Sequence, residues 1–106
     1  MELIKVMLES PYAGDVEKNI KYAQRAMRHS IMLGEAPMVS HLLYTQCLDD
    51  TVANERSLGI AIGLDWLEAT DKTVVYADLG ISTGMQHGID RANAKGHSVE
   101  MRYLDK

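Results

Sequence analysis

Two carboxylates and a ladder of glycines are the residues of this chain whose types and spacing could do chemistry. Glu9 closes an apolar run and directly precedes Ser10-Pro11-Tyr12-Ala13-Gly14, while Asp78 follows the β-branched run Thr73 to Ala77. If the two runs are adjacent parallel strands, about 4.8 Å apart, the carboxylates come near each other and one pKa is pushed upward. One of them can then serve as a general acid or base, or the pair can hold ribose hydroxyls. The plainer alternative is that either residue caps or solvates a loop. Gly80, Gly84 and Gly88 recur every four residues beyond Asp78. That spacing suits either a backbone approached by a phosphate or a helix packed tightly on its neighbour.

The elements that must position these residues follow from periodicity and punctuation. Leu3 to Leu8 reads as a buried strand, and Asp15 as the N-cap of a helix. In that helix Val16, Ile20, Ala23, Met27 and Ile31 share one face, and the Leu33-Gly34 stop gives it a span of about residues 16 to 33. Ala36 to Ser40 predicts a second strand, and the stretch to Asp49-Asp50 is part helix and part lid. A second helix over Val52 to Ala69 is apolar nearly all round, which implies burial on two sides, the second against another subunit. Thr73 to Ala77 is a strand, Ser82 to Lys95 a helix stopped by Gly96, and Ser98 to Tyr103 the last strand.

The resulting βαβαβαβ alternation predicts one α/β domain over residues 1–106: three layers around a four-stranded parallel sheet of order 2-1-3-4, Rossmann- or flavodoxin-like, with right-handed crossovers. In such a sheet the chain leaves strands 1 and 3 toward opposite faces, so a crevice opens between their carboxyl ends. Its expected lips are Glu9 to Gly14 and Asp78 to Gly84. Both loops feed helix N-termini, which favour an anionic ligand.

Composition narrows the partners. The 106 residues carry a formal charge of -4, with lysines and arginines scattered rather than striped, which disfavours a nucleic-acid partner. Cys47 is the sole cysteine, so neither an intrachain disulfide nor a thiolate zinc cluster can form, in keeping with a reducing cytoplasm. Met1 to Leu8 is too short and too charged for a signal peptide or membrane span. His29, His41, His87 and His97 show no i, i+4 pairing, so no metal site is expected; His29 and His97 are expected in solvent. The Asp49-Asp50 pair is expected to solvate or cap its loop, and most methionines to fill the core.

Four segments, in this order, resemble the nucleoside 2-deoxyribosyltransferase-like superfamily, especially its small phage and bacterial members without a named function. They are Glu9-Ser10-Pro11-Tyr12 with Asn19 and Ala23; Pro37-Met38-Val39-Ser40-His41-Leu42-Leu43; Leu58-Gly59 with Gly63-Leu64-Asp65-Trp66-Leu67 and Asp71; and the helix from Ser82 to Ala92. The resemblance implies a pocket for a nucleoside or nucleotide, lined by Ser10, Tyr12, Asn19, His41, Ser82, Gly84, Met85 and Gly88, with no cofactor. It also implies a homodimer or higher homo-oligomer in which a neighbouring subunit helps complete the site.

Two departures from the pattern matter. The position expected to carry the family's catalytic glutamate is Gly88, and the position before Ser-Pro-Tyr, expected to be alanine, is Glu9. Asp90 cannot substitute on the helix, since residues two apart point about 200° from each other, and Gln86 and His87 are expected to face elsewhere. The leading expectation is therefore a cytoplasmic protein that binds or sequesters a nucleotide or ADP-ribose-type signal without catalysis, as a phage anti-defence sponge would. The alternative is an N-glycosidase or 2-deoxyribosyltransferase acting through Glu9 or Asp78. In a third reading the second helix is a protein-binding surface and the cleft is vestigial.

Overall fold

In a computed structural model that describes residues 2–105, the chain forms β1 (Ile4–Glu9), α1 (Val16–Met32), β2 (Glu35–Met38), α2 (Ala53–Ala69), β3 (Lys72–Tyr76), α3 (Thr83–Ala94) and β4 (Ser98–Arg102). Two single-turn 3-10 segments, Ser40–Leu42 and Tyr44–Gln46, occupy the stretch expected to be part helix. The sheet is wholly parallel in the order β2-β1-β3-β4, as the alternation predicts. Element ends differ from expectation by one or two residues, the largest shift being β2, which stops at Met38.

Local chemistry explains the ends. The Asp15 side chain accepts the Lys18 N–H at 3.3 Å and opens α1; Ser82 Oγ accepts the Met85 N–H at 3.2 Å and opens α3. Gly34 and Gly96 follow α1 and α3 at φ 84° and 70°, a region that favours glycine, and so turn the chain into β2 and β4. By contrast α2 begins at Val52 without a side-chain cap. Its entry is ordered instead by Asp49, whose carboxylate accepts the Thr51 N–H and hydroxyl, and by Glu55, which accepts the Asp49 N–H.

The strand period of two divides the side chains between two cores. Val6 and Leu8 of β1 and Val74 and Tyr76 of β3 face α1, where they pack with Tyr22, Ala26 and Val39. Met7 faces the other side, against Leu67 of α2 and Ala92 of α3. Glu9, two residues beyond Met7, therefore belongs to the α2–α3 face. The register pairs Glu9 with Val75, so Asp78 follows the parity of Tyr76 and belongs to the α1 face.

Under the C-terminal end of α1 the sheet carries a buried polar network. Glu35 accepts both arms of the Arg102 guanidinium, at 2.7 and 2.6 Å, and also the Ser30 hydroxyl at 2.8 Å. Arg102 donates to the Tyr76 hydroxyl at 3.0 Å, which also bonds His29, and it pairs with Glu100. His29 thus has a partner although it is exposed. His97 departs further from its expected place in solvent: half-buried, it bonds Thr73 through Nδ1 at 2.9 Å and the Thr70 carbonyl through Nε2 at 2.9 Å.

No helix among the described residues is long and apolar enough to cross a membrane.

Candidate functional site

A cavity of about 280 Å³ lies on the α2–α3 face, at the carboxyl end of β1. Met7 and Glu9 form its floor. One wall is α2, through Arg56, Gly59, Ile60, Gly63, Leu64 and Leu67; the other is α3, through Gly84, His87, Gly88 and Arg91. Each set recurs at i, i+3, i+4, i+7, the spacing of a single helix face. The segment after β2 closes the cavity with His41, Tyr44 and Thr45, and Trp66 Nε1 of α2 donates to the Tyr44 hydroxyl at 2.7 Å.

Glu9 is placed by the absence of a side chain at Gly88. A Cβ built on Gly88 would lie 2.6 Å from the Glu9 carboxyl carbon and 2.9 Å from one of its oxygens. Among the described residues, no other glycine has a neighbour this close to where its Cβ would be. The carboxyl thus rests on the bare backbone of α3. Burial raises its pKa from 4.5 to about 7, against the opposing pull of the Arg91 charge. At neutral pH Glu9 is consequently divided between acid and carboxylate, the condition in which a carboxyl can give or take a proton.

His41 is the second titratable group drawn into the site. Its Nε2 lies 2.6 Å from Ser10 Oγ, and burial lowers its pKa from 6.5 to about 4, so the ring is neutral near pH 7. Ser10 is itself buried and acts through this bond, fixing the ring rather than lining the cavity.

Of the residues expected to line the pocket, His41, Gly84 and Gly88 do so, with Glu9 beneath them. The others have different tasks. The Asn19 amide donates to the Tyr12 and Ala13 carbonyls at 2.9 and 3.0 Å and so holds the loop after β1. Ser82 spends its hydroxyl on the α3 cap, and Met85 is a core residue with 1% of its surface exposed. Tyr12 lines a separate shallow depression with Thr45 and Glu55.

Asp78 does not join Glu9. It accepts the Tyr22 hydroxyl and the backbone N–H groups of Leu104 (2.8 Å) and Asp105 (3.0 Å), which tie the end of the chain to α1. Although desolvation pushes its pKa up, these hydrogen bonds hold it at about 2. The shift of Glu9 comes from burial, not from a second carboxylate. Strand parity is the reason: the two residues leave the sheet on opposite faces.

The structure adds three residues absent from the expected set. His87, expected to face elsewhere, lines the cavity one residue before Gly88, and Arg91 and Arg56 do so from α3 and α2. No group of three or more His, Cys, Asp or Glu that could hold a metal is present among the described residues.

A family model described as a domain of unknown function (DUF7768) matches residues 4–102. No curated protein matches the chain.

Proposed function

We propose that this chain, which belongs to the DUF7768 family, binds a nucleoside or nucleotide in the α2–α3 cavity and breaks or transfers its N-glycosidic bond through Glu9. One observation carries the reading: the Glu9 carboxyl fills the space that a side chain at Gly88 would need. In the resemblance to 2-deoxyribosyltransferases the glutamate is expected on α3 and an alanine at the end of β1. Here the carboxyl and the vacancy have exchanged elements, and a carboxyl is kept at that point of the cavity. Its pKa of about 7 suits a group that gives or takes a proton at neutral pH.

Incubation with 2′-deoxynucleosides and their 5′-monophosphates is expected to release free base, seen by chromatography. Glu9→Gln should lower the rate by about 100-fold or more, the usual contribution of a positioned acid or base. The exchange variant Glu9→Ala with Gly88→Glu should recover part of it, because it returns a carboxyl to the same space from the other side. Release that is equal in Glu9→Gln would end the assignment.

The sequestering reading keeps one specific support. With Asp78 turned to the other face, Asp50 on the exposed loop is, among the described residues, the only carboxylate besides Glu9 that lines the cavity. A lone, partly protonated carboxyl can also simply hydrogen-bond a ligand, as a phage anti-defence sponge would require. Tight binding with the ligand recovered intact after long incubation would select that reading.

A homodimer is part of the same proposal. While one row of α2 faces the cavity, Leu58, Ile62 and Trp66 form another row at i, i+4, i+8, and Leu58 is 55% exposed. Light scattering is expected to give a dimer mass for the wild type and a monomer mass for Leu58→Glu. A monomer at every concentration of the wild type would refute it.

A further inference from the structure

We propose that Gly59, Gly63 and Gly84 determine the specificity of the cavity: they leave its two helix walls bare, so that a nucleobase lies flat against the backbones of α2 and α3 above Glu9. The proposal rests on the nucleoside-pocket reading above and names the part of the ligand that this space takes.

Glycine is the poorest helix former after proline, so a glycine inside a helix calls for a reason. Gly14, Gly34, Gly80 and Gly96 lie outside the helices at positive φ, which accounts for them. Gly59 and Gly63 of α2 and Gly84 and Gly88 of α3 have no positive φ, and all of them line the one cavity. Gly88 is bare because the Glu9 carboxyl stands where its Cβ would be. Nothing comparable explains the rest. At Gly63 and Gly84 a Cβ would meet no atom within 4 Å, and at Gly59 it would make only an ordinary contact with Leu48 at 3.6 Å. The packing of the chain itself does not require glycine at these positions. The space in front of them belongs to the cavity, and its occupant is what a side chain would displace.

The two walls match in height. Met7 of β1 packs against Leu67 of α2 and Ala92 of α3, and both helices run antiparallel to the strands they connect. Two residues toward the end of β1 rise about 6.6 Å, and four residues back along either helix rise about 6 Å. Glu9 is therefore level with Gly63 and Gly88, and its contact with Gly88 agrees with that step. One turn above, Gly59 and Gly84 share a level on the two walls.

The group beneath this space is polar and unengaged. The Glu9 carboxyl is buried and lines the cavity, yet among the described residues it has neither a hydrogen bond nor an ion pair. A buried carboxyl without a partner leaves its hydrogen-bonding capacity to the ligand. A nucleobase meets both conditions. Its flat faces suit bare backbone beside Ile60 and Leu64, and its edge offers donors and acceptors to a carboxyl in either protonation state. A puckered sugar would turn hydroxyls against the same walls, which give them few partners.

Calorimetric titration of the full chain with 2′-deoxyadenosine, adenine and 2-deoxyribose would compare the wild type with Gly63→Ala and Gly84→Ala, each variant also being melted. Both melting temperatures are expected to rise, by about 4 °C for Gly63→Ala in the helix interior, since the added methyl meets nothing in the empty cavity. That rise also shows the variants to be folded. Affinity for adenine and for 2′-deoxyadenosine should fall by the same factor, about tenfold, as a methyl intrudes on the ring. A lower melting temperature would show that a neighbouring group needs the glycine and would overturn the proposal. Unchanged affinity for 2′-deoxyadenosine in both variants, or a loss for 2-deoxyribose that adenine does not share, would overturn the base slot and leave the nucleoside pocket standing. If adenine bound and lost affinity in the variants while the nucleoside did not bind, the slot would stand and the nucleoside reading would fall. Absence of binding by all three probes to the wild type would overturn both.

Discussion

Glu9→Gln is expected to make the folded protein about 3 kcal/mol more stable at pH 8 and to change it little at pH 4. The folded-state pKa of Glu9 is raised from 4.5 to about 7 by burial, and each unit of difference from the unfolded chain is worth about 1.36 kcal/mol. The folded state therefore holds the Glu9 proton more tightly than the unfolded state does. Stability linked to that proton is fully present below pH 4.5 and is lost as pH rises through 7. Above that window the wild type carries a carboxylate in a place that disfavours charge, whereas glutamine carries none at any pH. A gain of this size moves the melting temperature of a 100-residue domain by about 10 °C or more.

Denaturant titration of both proteins at pH 4 and pH 8 checks this result. A gain that is the same at both values would assign it to packing rather than ionisation. A loss at pH 8 would mean that Arg91, with Arg56 and His87 on the same cavity, holds the carboxylate more firmly than burial disfavours it. The combination to look for is higher stability with lower activity. A residue kept against its own stability is what a working site requires, since functional groups are held in states the fold alone would not select. Gly88→Ala probes the same contact from the helix side. The helix gains about 1 kcal/mol in propensity, the carboxyl is pushed off α3, and its pKa should fall back toward the ordinary carboxylate range.

The fold was legible because each of its boundaries is written in local chemistry. The apolar run ending at Leu8, the Asp15 cap, the Gly34 and Gly96 stops and the β-branched Thr73 to Ala77 run all act within a few residues, and four strands alternating with helices leave few parallel arrangements. The site was half legible for the opposite reason. Glu9 can be placed at a strand end from sequence, but its distance from Asp78 depends on register. Only the pairing of Glu9 with Val75 shows that Glu9 lies on the face opposite to Tyr76 and to Asp78, which turns toward Tyr22. The row Gly84, His87, Gly88, Arg91 has a readable signal, the i, i+3, i+4, i+7 spacing. It is hidden when position 88 is considered for its missing carboxyl alone. His97 gives no such signal, because its partners Thr70 and Thr73 are brought to it by the packing of β3 beside the end of α3. Asn19 and Met85 sit inside the resemblance motifs, yet they hold a loop and fill a core; a motif preserves what the scaffold needs as well as what the ligand touches.

Arg102→Met is expected to cost about 3–5 kcal/mol, the usual result of removing one partner from a buried ion pair. The guanidinium is 8% exposed and Glu35 is 5% exposed, and the pair closes through two hydrogen bonds. Without Arg102, Glu35 keeps the Ser30 hydroxyl and Lys72 at 3.5 Å, which leaves its second oxygen poorly compensated. A domain of this size has about 5–15 kcal/mol in total, so the single variant lies near the limit of folding. The double variant Arg102→Met with Glu35→Met removes both desolvated charges and should recover much of the loss, because an apolar pair of similar volume rivals a buried ion pair. A double variant less stable than either single one would show that the network is needed as a whole. The pH dependence separates the two contributions. Hydrogen bonds from Arg102 lower the Glu35 pKa from 4.5 to about 2, so its stabilisation is present above pH 4.5 and is lost as pH falls toward 2. Acid unfolding of the wild type should carry this window, and in the double variant it should shrink by the Glu35 share, leaving that of Asp78, whose carboxyl is also held at about 2. Ligand affinity should be untouched in the double variant, because the network lies on the α1 face and the cavity on the other.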